Sequence, residues 1–162
     1  MRTIQVILCI LIQTLVFGQD ISVGGMDITW EFMGTDEIRF TATAPDDGWV
    51  ALGFNDKDDI VGCNLIMVSV HDEAIISEEF FVKGVGDPKP VYTVGSSSQH
   101  QVTAGSEKGE KTTISFSMPT VKIDDKHYNL RKGDVIWLIC AYSMEDEFDH
   151  HSRMRKHIKI TL

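Results

Sequence analysis

The feature that most constrains this chain is a two-residue alternation of apolar and polar side chains, with almost no helical periodicity. Ile28, Trp30 and Phe32 alternate with Thr29, Glu31 and Met33, and Ile38, Phe40 and Ala42 alternate with Arg39, Thr41 and Thr43. The intervening "GTDE" is a turn, so the two runs predict a hairpin. Farther on, Thr112, Ile114, Phe116 and Met118 share one face, while Thr113, Ser115 and Ser117 share the other. Each such strand has one dry face and one wet face.

Other stretches fill in the pattern. "APDDG" predicts a turn into a strand from Trp49 to Phe54, and "NLIMVSV" and "AIISEEFFV" predict two strands joined around His71 to Glu73. "DVIWLICAY", residues 134–142, is apolar on both faces, as a central strand covered on both sides would be. The final strand places Ile158, Ile160 and Leu162 inward, and His157, Lys159 and Thr161 outward. "VGDPKPVYTVGSSSQ" has the Pro, Gly and Ser content of an exposed loop. The expected fold is all-β, an antiparallel immunoglobulin-like β-sandwich of about nine to eleven strands. Trp30 and Trp137 are expected in its core.

Residues 1–18, with Arg2 ahead of an apolar run, have the form of a secretory signal peptide. Residues 19–162 then form one domain, a secreted product with no further membrane span expected. The formal charge of −9 becomes about −10 once Arg2 is removed, which argues against nucleic acid as a partner. Cys63 and Cys140 then remain. In an oxidising compartment they most simply form a disulfide, which would contribute about 4–5 kcal/mol by the chain-entropy model. The alternative is two separate buried thiols.

Two segments hold candidate ligands. "MEDEFDHHSRMRKH" carries His150, His151 and His157 with Met144 and Met154, and imidazole with thioether suits copper or haem iron. It also reads as an exposed polar loop. Asp56, Asp58 and Asp59, with Asn55, offer oxygens to calcium, but the spacing is not that of an EF-hand and a solvated loop explains them equally. Trp49 beside Ala51 and Gly53 could floor a pocket, stacking on a sugar or a porphyrin. The sequence contains no G-x-S-x-G elbow and no His-x-His pair, so no catalytic residue is assigned.

The early "ITW" strand, "DDGWVALGFN", a short loop, "VGCNLIMVSV" and the histidine-bearing segment before the last strand together resemble a DOMON domain. That resemblance implies a secreted β-sandwich module with a ligand pocket at one end, binding b-type haem in some members and proposed to bind sugars in others. It also implies a Met in the loop after the "GWVALGFN"-like strand and a His near the C-terminus as axial ligands. Here Ile60 stands where that Met is expected, and isoleucine cannot ligate iron. The nearest sulfurs are Cys63 and Met67. His150 and His151 fit the second position, with Met144 or Met154 as substitute partners. The expected pocket therefore involves Trp49, Phe54, Ile60 and Met67. Ile60 favours a binding module for a carbohydrate or other small extracellular ligand; the alternative is a haem b electron-transfer domain with a C-terminal His axial ligand and a redox partner.

Overall fold

The computed structural model describes residues 19–162 apart from Glu73, so the expected signal peptide lies outside the described residues. Eleven strands follow one another: β1 (Gln19–Val23), β2 (Met26–Phe32), β3 (Glu37–Ala44), β4 (Val50–Asn55), β5 (Asn64–His71), β6 (Ala74–Gly84), β7 (Asp87–Pro90), β8 (Gln101–Glu107), β9 (Thr112–Pro119), β10 (Val135–Tyr142) and β11 (Met154–Thr161). They form a five-stranded sheet, β1-β2-β3-β9-β8, and a six-stranded sheet, β11-β10-β4-β5-β6-β7, with antiparallel pairing throughout. The predicted all-β sandwich is the observed architecture. No helix among the described residues is long and apolar enough to cross a membrane.

Alternation places the core. Ile28, Ile38, Phe40, Ile114 and Phe116 of the first sheet meet Leu52, Phe54, Ile66 and Leu138 of the second, all fully buried. Phe40 lies at the centre, with ring centroids 5.1 Å from Phe54 and 5.8 Å from Phe116. The outer face of the five-stranded sheet is polar: Thr41 and Thr43 hydrogen-bond across the β3–β9 ladder to Ser115 at 2.7 Å and Thr113 at 2.9 Å.

The six-stranded sheet differs, because every residue of β4 is buried. A strand buried on both faces needs a second cover outside the sandwich, and that cover is where the candidate site lies.

Four expectations are corrected. Cys63 and Cys140 are free thiols on opposite faces of the same sheet. Cys140 pairs with core Leu52 and packs between the sheets, whereas Cys63 packs outside with Val82 and Ile139, so no bond can join them. Trp137 is half-buried and not core, since it pairs with Asn55 and Lys159 on the outer face. Phe54 points into the inter-sheet core and lines no outer groove. The "DPKP" segment is a short edge strand leading into a 3₁₀ turn over Val91–Val94; proline is tolerated there because an edge has amides to spare.

Candidate functional site

The outward-facing residues of the six-stranded sheet follow from its register. Ala141 of β10 pairs with Ala51 of β4, and Ala51 pairs with Met67 of β5. Ile139 and Leu65 flank Gly53 in the next row. Gly53 has no side chain because Cys63 Sγ occupies the space a Cβ would need. Small residues in the middle strand thus leave a shallow apolar trough between larger ones.

Loops wall the trough. On one side, residues 143–153 are hooked onto the sheet: Trp49 N donates to Glu145 O at 3.0 Å and Ser143 N donates to Trp49 O at 3.0 Å. Phe148 then folds inward, meeting Phe80 edge-on at 6.3 Å. On another side, the 55–63 loop is held by Asn55, whose Nδ2 donates to Asp59 O at 2.6 Å and whose Oδ1 accepts from Asp56 N at 2.8 Å and the Tyr128 hydroxyl at 3.1 Å. Gly62, at φ +88°, makes the turn that returns this loop to β5. The β6–β7 turn supplies Gly86, and β7 supplies Pro88.

The result is a groove of about 360 Å³ bordered by Trp49, Ala51, Ile60, Leu65, Met67 and Ala141 below and by residues 148–152 and Arg155 at the side. Such a volume lies in the range of small-molecule sites. Of the residues expected to line a pocket, Trp49, Ile60 and Met67 lie in this groove, together with His150 and His151. Met67 and Trp49 are each only 4% exposed, so the Trp49 ring face is covered and cannot serve as an open stacking platform. The Trp49 indole Nε1 is buried without a hydrogen-bond partner.

The remaining candidates lie elsewhere. Met144 is 56% exposed and borders a separate acidic hollow with Asp146 and Glu147. Met154 Sδ packs against Gly24 at the β1–β2 turn, on the opposite side of β11 from Arg155. The acidic loop's carboxylates are engaged separately: Asp58 contacts His157 at 2.9 Å and Asp59 accepts from Val61 N at 2.9 Å. The second interaction holds the Asp59 carboxyl below its usual range. The groove runs across the sheet's outer face and does not sit at the end of the sandwich.

A polar cluster on the inward side of β6 was not foreseen. Glu79 pairs with core residue Ile66, so its carboxylate points inward and is fully buried. It accepts from Asn64 Nδ2 at 2.7 Å, Gln99 N at 2.7 Å and Ser98 Oγ at 2.9 Å, and contacts His100 Nδ1 at 3.2 Å. His127, 1% exposed, places Nε2 2.9 Å from Glu79, off the line of a good hydrogen bond, and Nδ1 2.7 Å from Asp124. Burial pushes the Glu79 carboxyl up, but the His100, His127 and Asn64 contacts outweigh it and hold it well below the carboxylate range. Burial likewise opposes charge on His127, and Glu79 and Asp124 overcome it and raise its pKa. Its trace in the sequence is the Glu78–Glu79 pair set between Ile75–Ile76 and Phe80–Phe81, of which the second acid takes the inward position.

Solved structures share the fold. The cytochrome b domain of pyranose dehydrogenase from Coprinopsis cinerea superposes with a TM-score of 0.62 at 11% identity, over 83% of this chain and 76% of that one. The cytochrome domain of Myriococcum thermophilum cellobiose dehydrogenase superposes with a TM-score of 0.59 at 12% identity, over 91% and 81%. No curated protein matches the sequence. The family model of the DOMON domain matches residues 22–143, a span that runs from the end of β1 through β10 and includes the groove floor, and the chain therefore belongs to the DOMON domain family.

Proposed function

We propose that the groove binds b-type haem and that the domain is a secreted electron-transfer module. The observation that carries this reading is the meeting of Met67 on the floor with His150 and His151 in the wall of one apolar groove. The donor set suits the group: thioether and imidazole are the axial pair that keeps haem iron in electron transfer and dioxygen off the metal. The two solved neighbours being cytochrome domains supports the same choice.

Met67 stands in for the methionine that Ile60 cannot supply. It comes from the strand after the loop and reaches the groove because register with Ala51 turns it outward. One of His150 and His151 supplies the nitrogen. The bound group would supply one-electron chemistry, and the chain's part is to hold it, cover its apolar faces and keep water from them. A carbohydrate site is less well supported, since the Trp49 ring is covered and the floor is aliphatic.

The test is an absorption spectrum of the purified protein with haemin, before and after dithionite. The expected result is a sharp Soret band with resolved α and β bands on reduction. Met67→Leu should lose the six-coordinate signature, and one of His150→Ala and His151→Ala should do the same. A wild-type spectrum identical to free haemin would refute the proposal.

A further inference from the structure

The geometry points to a second site, on the opposite face of the sheet from the groove: Ser77, His100 and Glu79 form a nucleophile, base and carboxylate set suited to hydrolysing a small ester. This site is independent of the haem reading. Ser77 and Glu79 lie two apart on β6 and pair with core residues Val68 and Ile66, so both side chains take the inward side of the strand. His100 comes from the segment before β8 and spans them: its Nε2 lies 3.1 Å from Ser77 Oγ, and its Nδ1 lies 3.2 Å from Glu79 Oε2. Phe116 meets the imidazole edge-on at 6.4 Å, and only 7% of the His100 side chain is exposed, which holds the ring in place. Ser77 itself is exposed, so its hydroxyl can be reached from solvent.

The proton positions follow from the partners. Ser98 Oγ has one hydrogen and donates it to ionised Glu79 at 2.9 Å, so at the 2.8 Å contact between Ser98 Oγ and His100 Nδ1 the nitrogen is the donor. A neutral imidazole then carries its lone pair on Nε2, toward the Ser77 hydroxyl. A serine is activated as a nucleophile by such a base oriented by a third group, and the set is recognised by geometry and not by chain order. Ser77 lies within a strand and not at an elbow, so no sequence motif marks it. The three residues border a cavity of about 390 Å³ together with Val91 and Tyr92. That space suits a short acyl group, and Glu78 on its border disfavours an anion. In the reaction the Ser77 oxygen bonds to the ester carbonyl carbon as its proton passes to His100 Nε2, whose new charge Glu79 offsets. The bond from that carbon to the leaving alcohol breaks, and the alcohol takes the proton. Water then attacks the acyl-serine while Nε2 accepts its proton; the carboxylic acid leaves and Ser77 regains its hydrogen.

The test is labelling of the full chain by a fluorophosphonate, mapped by mass spectrometry, with hydrolysis of p-nitrophenyl acetate measured alongside. Wild type should be labelled at Ser77. Ser77→Ala should lose that label and about a hundredfold of the hydrolysis rate, the scale of general-base catalysis. It should keep the wild-type Tm, since the hydroxyl lies at the surface. His100→Gln should lose both label and rate with Ser77 still present, which a serine of purely structural role would not show. If His100→Gln unfolds by circular dichroism, the wild-type label and the Ser77→Ala rate decide. No label at Ser77, equal hydrolysis by wild type and Ser77→Ala, or undiminished labelling in folded His100→Gln would overturn the assignment. Haemin spectra of Ser77→Ala should match wild type, so failure of this site leaves the groove's function untouched and the reverse holds equally.

Discussion

Replacing Glu79 by Gln removes one charge from the inward side of β6 while keeping the side chain's shape. The wild-type carboxylate is fully buried and accepts from Asn64, Gln99 and Ser98 at 2.7–2.9 Å, with His100 and His127 beside it. The amide can accept at one oxygen only, and its NH2 turns toward groups that were donating. Breaking a buried charged cluster on one side costs about 3–5 kcal/mol, which for a chain of this size lowers Tm by roughly 10 °C. The pH dependence is more specific. His127 has a pKa raised above 6.5, so its stabilisation is full below that pH and is lost as pH rises through the folded value. Glu79 has a pKa lowered from 4.5, so its stabilisation is present above that pH and lost as pH falls toward the folded value. Asp124, lowered to about 2, adds to the acid side. Burial raises that carboxyl, but Ser96, His127 and the Lys126 amide outweigh the effect. The gap between wild type and Glu79→Gln should therefore be widest between the ordinary Glu value of 4.5 and the ordinary His value of 6.5, and narrow as pH rises above 6.5 through the folded His127 value. Thermal unfolding followed by circular dichroism across that range reads it directly. A Tm difference below about 2 °C, or one constant with pH, would refute the argument that the cluster is a charged stabilising unit.

Two further outcomes are expected. Gly53→Ala places a Cβ against Cys63 Sγ and 3.1 Å from Leu65, so it should cost about 1–3 kcal/mol, and Cys63→Ala should recover part of that loss in a double-mutant cycle by urea unfolding. Cys63 and Cys140 should react with a thiol-labelling reagent only after unfolding, since both are fully buried and burial raises both thiols, Cys140 to about 12; mass spectrometry showing a 63–140 crosslink in the native protein would contradict the free-thiol arrangement.

The hairpins were legible because one face of each strand is wet. Alternation in residues 26–44 and 112–118 places each side chain on the face where the structure has it. Legibility failed where a strand is apolar on both faces. In β4 and β10 the sequence carries no parity signal, which is why Phe54 was expected in the pocket, Trp137 in the core and the two cysteines together. β1 and β8 were not individually predicted. Their alternation is weak, and both are edge strands with much exposed surface. The resemblance implies a Met and His pair at fixed places in the chain, but only the β4–β5 register, with Met67 beside Ala51, puts Met67 on the outer face in the groove that His150 and His151 also line.

The ladder order also bears on how the chain acquires its shape. β4 joins β5 next door in sequence, but its other partner, β10, arrives about 90 residues later, with Ala51 against Ala141. The β3–β9 ladder spans a similar separation. Loop-closure entropy must be met before either ladder forms, which puts folding in the slow regime of non-local β topologies. Until β10 docks, β4 presents an unpaired apolar edge open to another chain, so the interval before closure is when aggregation competes most strongly with folding.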